Sequence, residues 1–132
     1  LLTVREALPE QSANGVIFAQ GKLIRERPQL ITAWLTARAR GVRYAMEHKD
    51  EAVALGMKLL KSEDKAAMER AFDDHMKYKI MYPNMDFTPE QIDTIQTDAI
   101  AAGTMKEKLP FDKVANTKFL KEMLAQIGEY KK

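Results

Sequence analysis

The run Phe72-Asp73-Asp74-His75 sets two carboxylates beside one of the chain's two imidazoles, which are His48 and His75. An Asp and a His on neighbouring residues invite a divalent-metal reading. On a helix, though, Asp73 and His75 point about 200° apart, so one turn cannot bring both to one ion. They read as exposed surface residues. Met68, Met76, Met81 and Met85 are soft donors, but methionine is mostly a filler of irregular core gaps. With no Cys and no paired His, a soft-metal site has no anchor. The glycines are isolated, so there is no phosphate-cradling loop. No Ser sits in a nucleophile elbow, and the carboxylates are spread over helix faces, leaving no acid–base pair to name. The expectation is a chain with no catalytic residues, no metal and no cofactor.

The elements that position these residues follow from the bulk numbers. The chain has 132 residues, which suits one domain and an ordinary apolar core. Hydrophobic residues make up 45% and charged residues 30%, a globular balance. A net charge of +2, from 21 basic and 19 acidic residues, draws neither nucleic acid nor an anionic membrane. The absence of Cys excludes disulfides and thiolate chemistry and fits an oxidising compartment. No apolar run is long enough to span a bilayer. The opening "LLTVREALPE" has no basic region followed by an apolar one, so it is not a signal peptide, and it does not read as a native start.

Along the chain, "LLTVRE" predicts a short strand and "VIFAQ", residues 16 to 20, a better one, between Gly15 and Gly21. From Gly21 onward the reading is helical. "KLIRER" predicts a short turn of helix. Pro28 opens the next helix, which runs to about His48. Asp50 is read as the cap of a third helix ending near Leu60, and Ser62 as the cap of a fourth that fades near Pro83 and Asn84. "TPEQ" at 88 to 91 predicts a capping box with Pro89 at the first helical position, and Gly103 ends that helix. A last helix begins near Asn116 or Thr117 and stops at Gly128.

Residues 22 to 48 hold six Lys or Arg and two acids, which raises the question of a nucleic-acid helix. With Ile31 as origin of the wheel, Trp34, Leu35, Val42, Ala45 and Met46 fall within about 60° on either side, a core-facing stripe that makes Trp34 a core residue. Arg40 and Arg43 lie roughly 180° and 120° away, so the cations do not gather on one face as phosphate contact requires. Arg38 falls inside the apolar stripe. A guanidinium there needs a partner, so Arg38 is expected in a buried ion pair or on a backbone carbonyl.

The order of elements resembles the C-terminal part of the substrate-binding proteins of ABC importers, in the branch that binds alkanesulfonates, taurine, nitrate and thiamine precursors. The likeness rests on "GVIFAQ", on Pro28, Leu30, Trp34, Leu35 and Ala37 of the Pro-started helix, and on Asp50, Glu51, Ala52 and Leu55 of "KDEAVALGMKLL". It continues in Gly103, Lys106, Val114, Phe119 and Leu120 near the end. It covers roughly residues 3 to 124; Arg38 and Asn116 depart from the family pattern.

The resemblance implies an α/β fold class: the mostly helical C-terminal portion of a two-lobed periplasmic-binding-protein fold, with one or two strands near its start. Residues 1–132 would form a single partial domain, with 1–20 returning to the first lobe and 21–132 as its helical scaffold. It implies a non-catalytic, periplasmic or otherwise extracytoplasmic protein that captures a small organic or oxyanion solute between two lobes and delivers it to a membrane permease. Glu6, Ser12 and Asn14 are the residues it would put near the solute. Family members are substantially longer, so the chain is expected to be a piece whose uncovered apolar faces favour self-association. Two alternatives stand beside it: a free-standing helical protein-interaction domain, and a relative of the thiamine-precursor synthesis enzyme, which the missing Cys disfavours.

Overall fold

The computed structural model of the protein describes residues 17–131, and these hold helices and no strand. In chain order they are α1 (Gly21–Glu26), α2 (Pro28–Glu47), α3 (Lys49–Leu60), α4 (Lys65–Lys77), α5 (Pro89–Ala101), α6 (Phe111–Val114) and α7 (Lys118–Ile127).

The α/β expectation is overturned by this all-helical architecture. The strand placed at "VIFAQ" is not formed: residues 17–20 have no regular structure, and Phe18 is 89% exposed. The physical reason is that a strand is completed by its neighbour. A β-branched run with no second edge to pair with, among the described residues, has no ladder to join. The other strand, at "LLTVRE", lies outside the described residues.

Local chemistry sets the helix ends. Pro28 takes the first turn of α2, where a missing N–H costs nothing. At α5 the capping box is complete: Thr88 Oγ1 accepts from the Gln91 N–H at 3.2 Å, and Gln91 Oε1 accepts from the Thr88 N–H at 2.9 Å. Gly103 (φ 72°) closes the same helix. The Gly103 N–H donates to the Ile100 carbonyl and the Thr104 N–H to the Ala99 carbonyl, both at 2.9 Å, a Schellman ending. Two expected caps move. The residue preceding α3 is His48, so Asp50 lies inside the first turn, where its charge suits the dipole. The cap of α4 is Asp64, which accepts from the Ala67 N–H at 2.8 Å, while Ser62 Oγ accepts from the Asp64 N–H.

The centre of the fold is the seam between α2 and α7. α7 carries Phe119, Leu120, Met123, Leu124 and Ile127 on one side, the spacing of an amphipathic helix. Leu35 and Ala39 of α2 close on Phe119 and Met123, with Ile24, Ile31 and Met85 packed round them. Burying Phe119 and Met123 contributes about 1.5–3 kcal/mol each. Two hydrogen bonds run along the seam: Thr32 Oγ1 donates to Glu122 at 2.7 Å and Thr36 Oγ1 to Gln126 at 3.3 Å. Partner numbers rise together, so α2 and α7 run in the same direction, and the chain from α3 to α6 is the crossover that this requires.

α2 therefore does not bury the expected face. The buried residues are Thr32, Leu35, Thr36 and Ala39, a stripe centred about 90° round the wheel from Ile31. Trp34, read as core, is 48% exposed. The two threonines count as polar in a hydropathy pattern, yet here their hydroxyls are paired and their methyls are packed.

α3 and α4 form a second, smaller contact. Val53 is buried, and Gly56 faces Met68, whose sulfur would lie 3.2 Å from an added Cβ. α5 and α6 make a third. There the buried Gln96 amide donates to the Leu109 carbonyl at 3.1 Å and accepts from the Leu109 N–H at 2.8 Å, fixing the loop before α6.

Candidate interaction surface

The three residues singled out for ligand contact, Glu6, Ser12 and Asn14, lie outside the described residues. Arg38, expected in a buried ion pair or on a backbone carbonyl, is exposed. Its guanidinium carbon sits 5.7 Å from the centre of the Trp34 ring, within cation–π range. The expected buried ion pair is not among the contacts of the described residues. Arg38 leaves the core because the buried stripe of α2 is rotated away from it.

The Asp–Asp–His run does not assemble. Asp73 pairs with Lys49 at 2.5 Å, while His75 Nδ1 lies 2.6 Å from the Ala71 carbonyl. No group of three or more His, Asp or Glu side chains among the described residues could hold a metal ion.

The helical wheel passes over Arg43, whose guanidinium makes four hydrogen bonds among the described residues. Arg43 follows Thr36 and Ala39 along the buried stripe of α2, at the point where α7 ends. Its Nε donates to the Pro83 carbonyl at 2.9 Å and its Nη1 to the Ile127 carbonyl at 3.2 Å. Its Nη2 donates to Asn84 Oδ1 at 3.1 Å and to the Gly128 carbonyl at 2.8 Å. A cation is thereby set on the carbonyl end of α7, where the helix dipole is negative. Asn84 continues the network: its Oδ1 accepts from the Tyr130 N–H at 2.8 Å, and its Nδ2 donates to the Tyr130 carbonyl at 3.4 Å. The Tyr130 ring lies 5.7 Å from the Arg43 guanidinium, and its hydroxyl is buried without a partner. The signal in the sequence was an Arg in register with the apolar positions of α2, but Thr32 and Thr36 concealed that register. This clasp fixes chain segments to one another; it offers no nucleophile or base.

Part of the exposed surface is apolar. Leu30, Trp34, Ala37 and Gly41 are exposed along one side of α2, and Ala45 is half-buried on the same side. At the C-terminal end of that side, the Tyr44 and His48 rings stack at 3.9 Å with a 7° interplanar angle. The Tyr44 hydroxyl donates to Glu51 at 2.7 Å. That hydrogen bond, with burial and the carboxylate's charge adding to it, holds the phenol above its ordinary value. Phe18, Leu55, Leu59 and Leu60 are exposed elsewhere.

An open groove of about 840 Å³ runs beside the start of α7, with Ile24, Lys113, Thr117, Lys118, Lys121 and Glu122 among its walls. Lys118 is already matched by Glu122 at 3.8 Å, and the buried unpaired hydroxyl of Tyr130 is not on its wall. No helix among the described residues is long and apolar enough to cross a membrane.

The exposed apolar side chains of α2 and α3 can lie against another surface. No protein-family model matches the chain, and neither a curated protein nor a solved structure matches it.

Proposed function

We propose that the chain serves as a non-catalytic helical scaffold of a solute-binding component of an ABC importer, working outside the cytoplasm beside a membrane permease. The observation that supports this reading is the exposure of apolar residues in two segments that carry the resemblance. Phe18 of "GVIFAQ" is open, and Leu55, Leu59 and Leu60 of "KDEAVALGMKLL" are open on α3. One exposed Leu is ordinary. Leu55 and Leu59 share a helix face with Leu60 beside them, and covering each fully is worth about 1.5–3 kcal/mol. Such residues suit a body that lies against further protein. Solute capture needs bodies that move as units about a hinge, and the α2–α7 seam with the Arg43 clasp supplies that stiffness. Glu6, Ser12 and Asn14 are the residues of this chain proposed to reach the solute.

A second reading, a free-standing helical domain that binds another protein, is favoured by the half-exposed Trp34. One experiment separates the two. The native gene product is purified, its mass is measured, and its melting is followed with an alkanesulfonate, taurine, nitrate and a pyrimidine precursor of thiamine. The importer reading expects a product longer than this chain and one solute that stabilises it, by about 2.7 kcal/mol at a hundredfold excess over Kd. A product unmoved by every solute overturns it in favour of the second reading.

A further inference from the structure

Among the longer helices, α4 is the least secured: α2, α3, α5 and α7 each bury at least one residue fully, and α4 buries none. Two features join it to α3. At one end Lys49 pairs with Asp73 and lies over the Phe72 ring, 5.8 Å from its centre. Both charges are exposed, and an exposed pair adds little. In the middle the Met68 thioether lies on the bare backbone of Gly56. A Cβ there would stand 3.2 Å from Sδ, 3.7 Å from Cγ and 3.9 Å from Cε. Glycine weakens a helix interior; what it allows here is the close approach of a neighbour. Met68 is itself only half-buried, so a small solute can reach its sulfur. With no Cys in the chain, thioethers are its only sulfur.

We propose that Met68 is an oxidation-sensitive latch: a peroxide converts its thioether to the sulfoxide, and α4 then comes off α3. A sulfur lone pair attacks one peroxide oxygen, the S–O bond forms as the O–O bond breaks, and the other oxygen leaves as water. The sulfur gives up two electrons and the peroxide takes them. The product is polar, and its new oxygen accepts hydrogen bonds. Towards α3 it finds no donor, because the N–H groups of a helix interior are bonded within the helix. Towards water it is satisfied, and reaching water lifts the thioether off Gly56. Ala67 and Phe72, the other apolar residues of α4 that are half-buried, do not hold the helix alone. The α2–α7 seam stays closed, since Met123 is 0% exposed and out of reach. A thiol-dependent sulfoxide reductase removes the oxygen as water, its thiols become a disulfide, and α4 returns. The latch does not depend on solute binding or on the importer reading.

The test treats the full chain with hydrogen peroxide, locates the sulfoxides by peptide mass spectrometry and follows brief trypsin digestion. Lys65, Arg70 and Lys77 report on α4; Arg38 and Arg40 report on α2. The expected result is oxidation of Met68 with Met123 still reduced, and cutting in α4 faster by about tenfold or more, because cleavage tracks the population of the open form. Cutting in α2 stays as it was. Incubation with a methionine sulfoxide reductase and dithiothreitol restores the original rate in α4. Met68→Leu keeps the volume and cannot take the oxygen, so peroxide leaves its α4 protected although the other methionines are still present. Met68→Gln places a polar group on Gly56 and opens α4 without peroxide. Circular dichroism of both untreated variants separates an undocked helix from an unfolded chain. The proposal is overturned by a Met68 sulfoxide that leaves α4 protected, or by equal opening of Met68→Leu under peroxide. It is also overturned if Met123 oxidises in step with Met68, which is global unfolding, or if reduction fails to restore protection.

Discussion

Arg43 Nη2 lies 2.8 Å from the carbonyl oxygen of Gly128 and so ties the middle of the fold to the end of its last helix. The same guanidinium donates to Pro83, Asn84 and Ile127. Replacing it strands several carbonyls at once. Arg43→Met keeps the stem, removes the donors and is expected to cost about 2–4 kcal/mol. Arg43→Lys keeps the charge without the planar fork and should recover only part of that. Urea unfolding followed by circular dichroism measures both; equal stability of the Met variant and the wild type would contradict the clasp.

Tyr130 offers the opposite sign. Its hydroxyl is buried with no partner, so it costs desolvation and returns no hydrogen bond. Tyr130→Phe is expected to leave stability unchanged or raise it by up to about 1 kcal/mol. Tyr130→Ala removes the ring beside Arg43 and should lower it by about 2–4 kcal/mol. Thermal melts should show Tyr130→Ala below the wild type and Tyr130→Phe at or above it.

Two helix ends use lysine where glycine is the usual choice. Lys61 (φ 52°) follows α3 and Lys79 (φ 51°) follows α4, both in the left-handed region. The Ser62 N–H donates to the Met57 carbonyl and the Ile80 N–H to the His75 carbonyl, both at 2.9 Å, so each Lys closes a Schellman-type turn. A Cβ is strained there. Lys61→Gly and Lys79→Gly should each stabilise by about 0.5–1 kcal/mol. The urea midpoint reports this; a loss in either variant would mean that its lysine side chain has a role of its own.

Glu90, in the first turn of α5, has its carboxyl held below the ordinary value of 4.5, by its own backbone N–H first and the Thr88 hydroxyl second. A depressed carboxylate stabilises the fold above its unfolded value, and that contribution is lost as pH falls through the folded one. Melting temperature should therefore fall with acidification in that window. Glu90→Gln should flatten the slope there and leave the high-pH plateau slightly lower. An unchanged acid slope in Glu90→Gln would assign it to other carboxylates.

Helix starts were legible where a backbone group announces itself. Pro28 and the Thr88–Gln91 box opened α2 and α5 where local rules place them, because those rules need no tertiary partner. The inward face of α2 was not legible. Thr32 and Thr36 are buried because Glu122 and Gln126 answer their hydroxyls, and those partners belong to α7. Missing that register turned the wheel, placed Trp34 and Arg38 inside, and left Arg43 among the scattered cations. The strand at "VIFAQ" failed for a related reason: β-propensity describes how well a residue suits a sheet, and it does not provide the neighbouring edge.

The parallel seam also has a consequence for how the molecule is made. Thr32 with Glu122 and Thr36 with Gln126 each join residues 90 positions apart. A nascent chain leaving the ribosome can close the α3–α4 hairpin early, since its partners are near neighbours in sequence. α2 must wait until α7 has been synthesised, with its greasy stripe uncovered meanwhile. At about 5–20 residues per second that interval lasts several seconds.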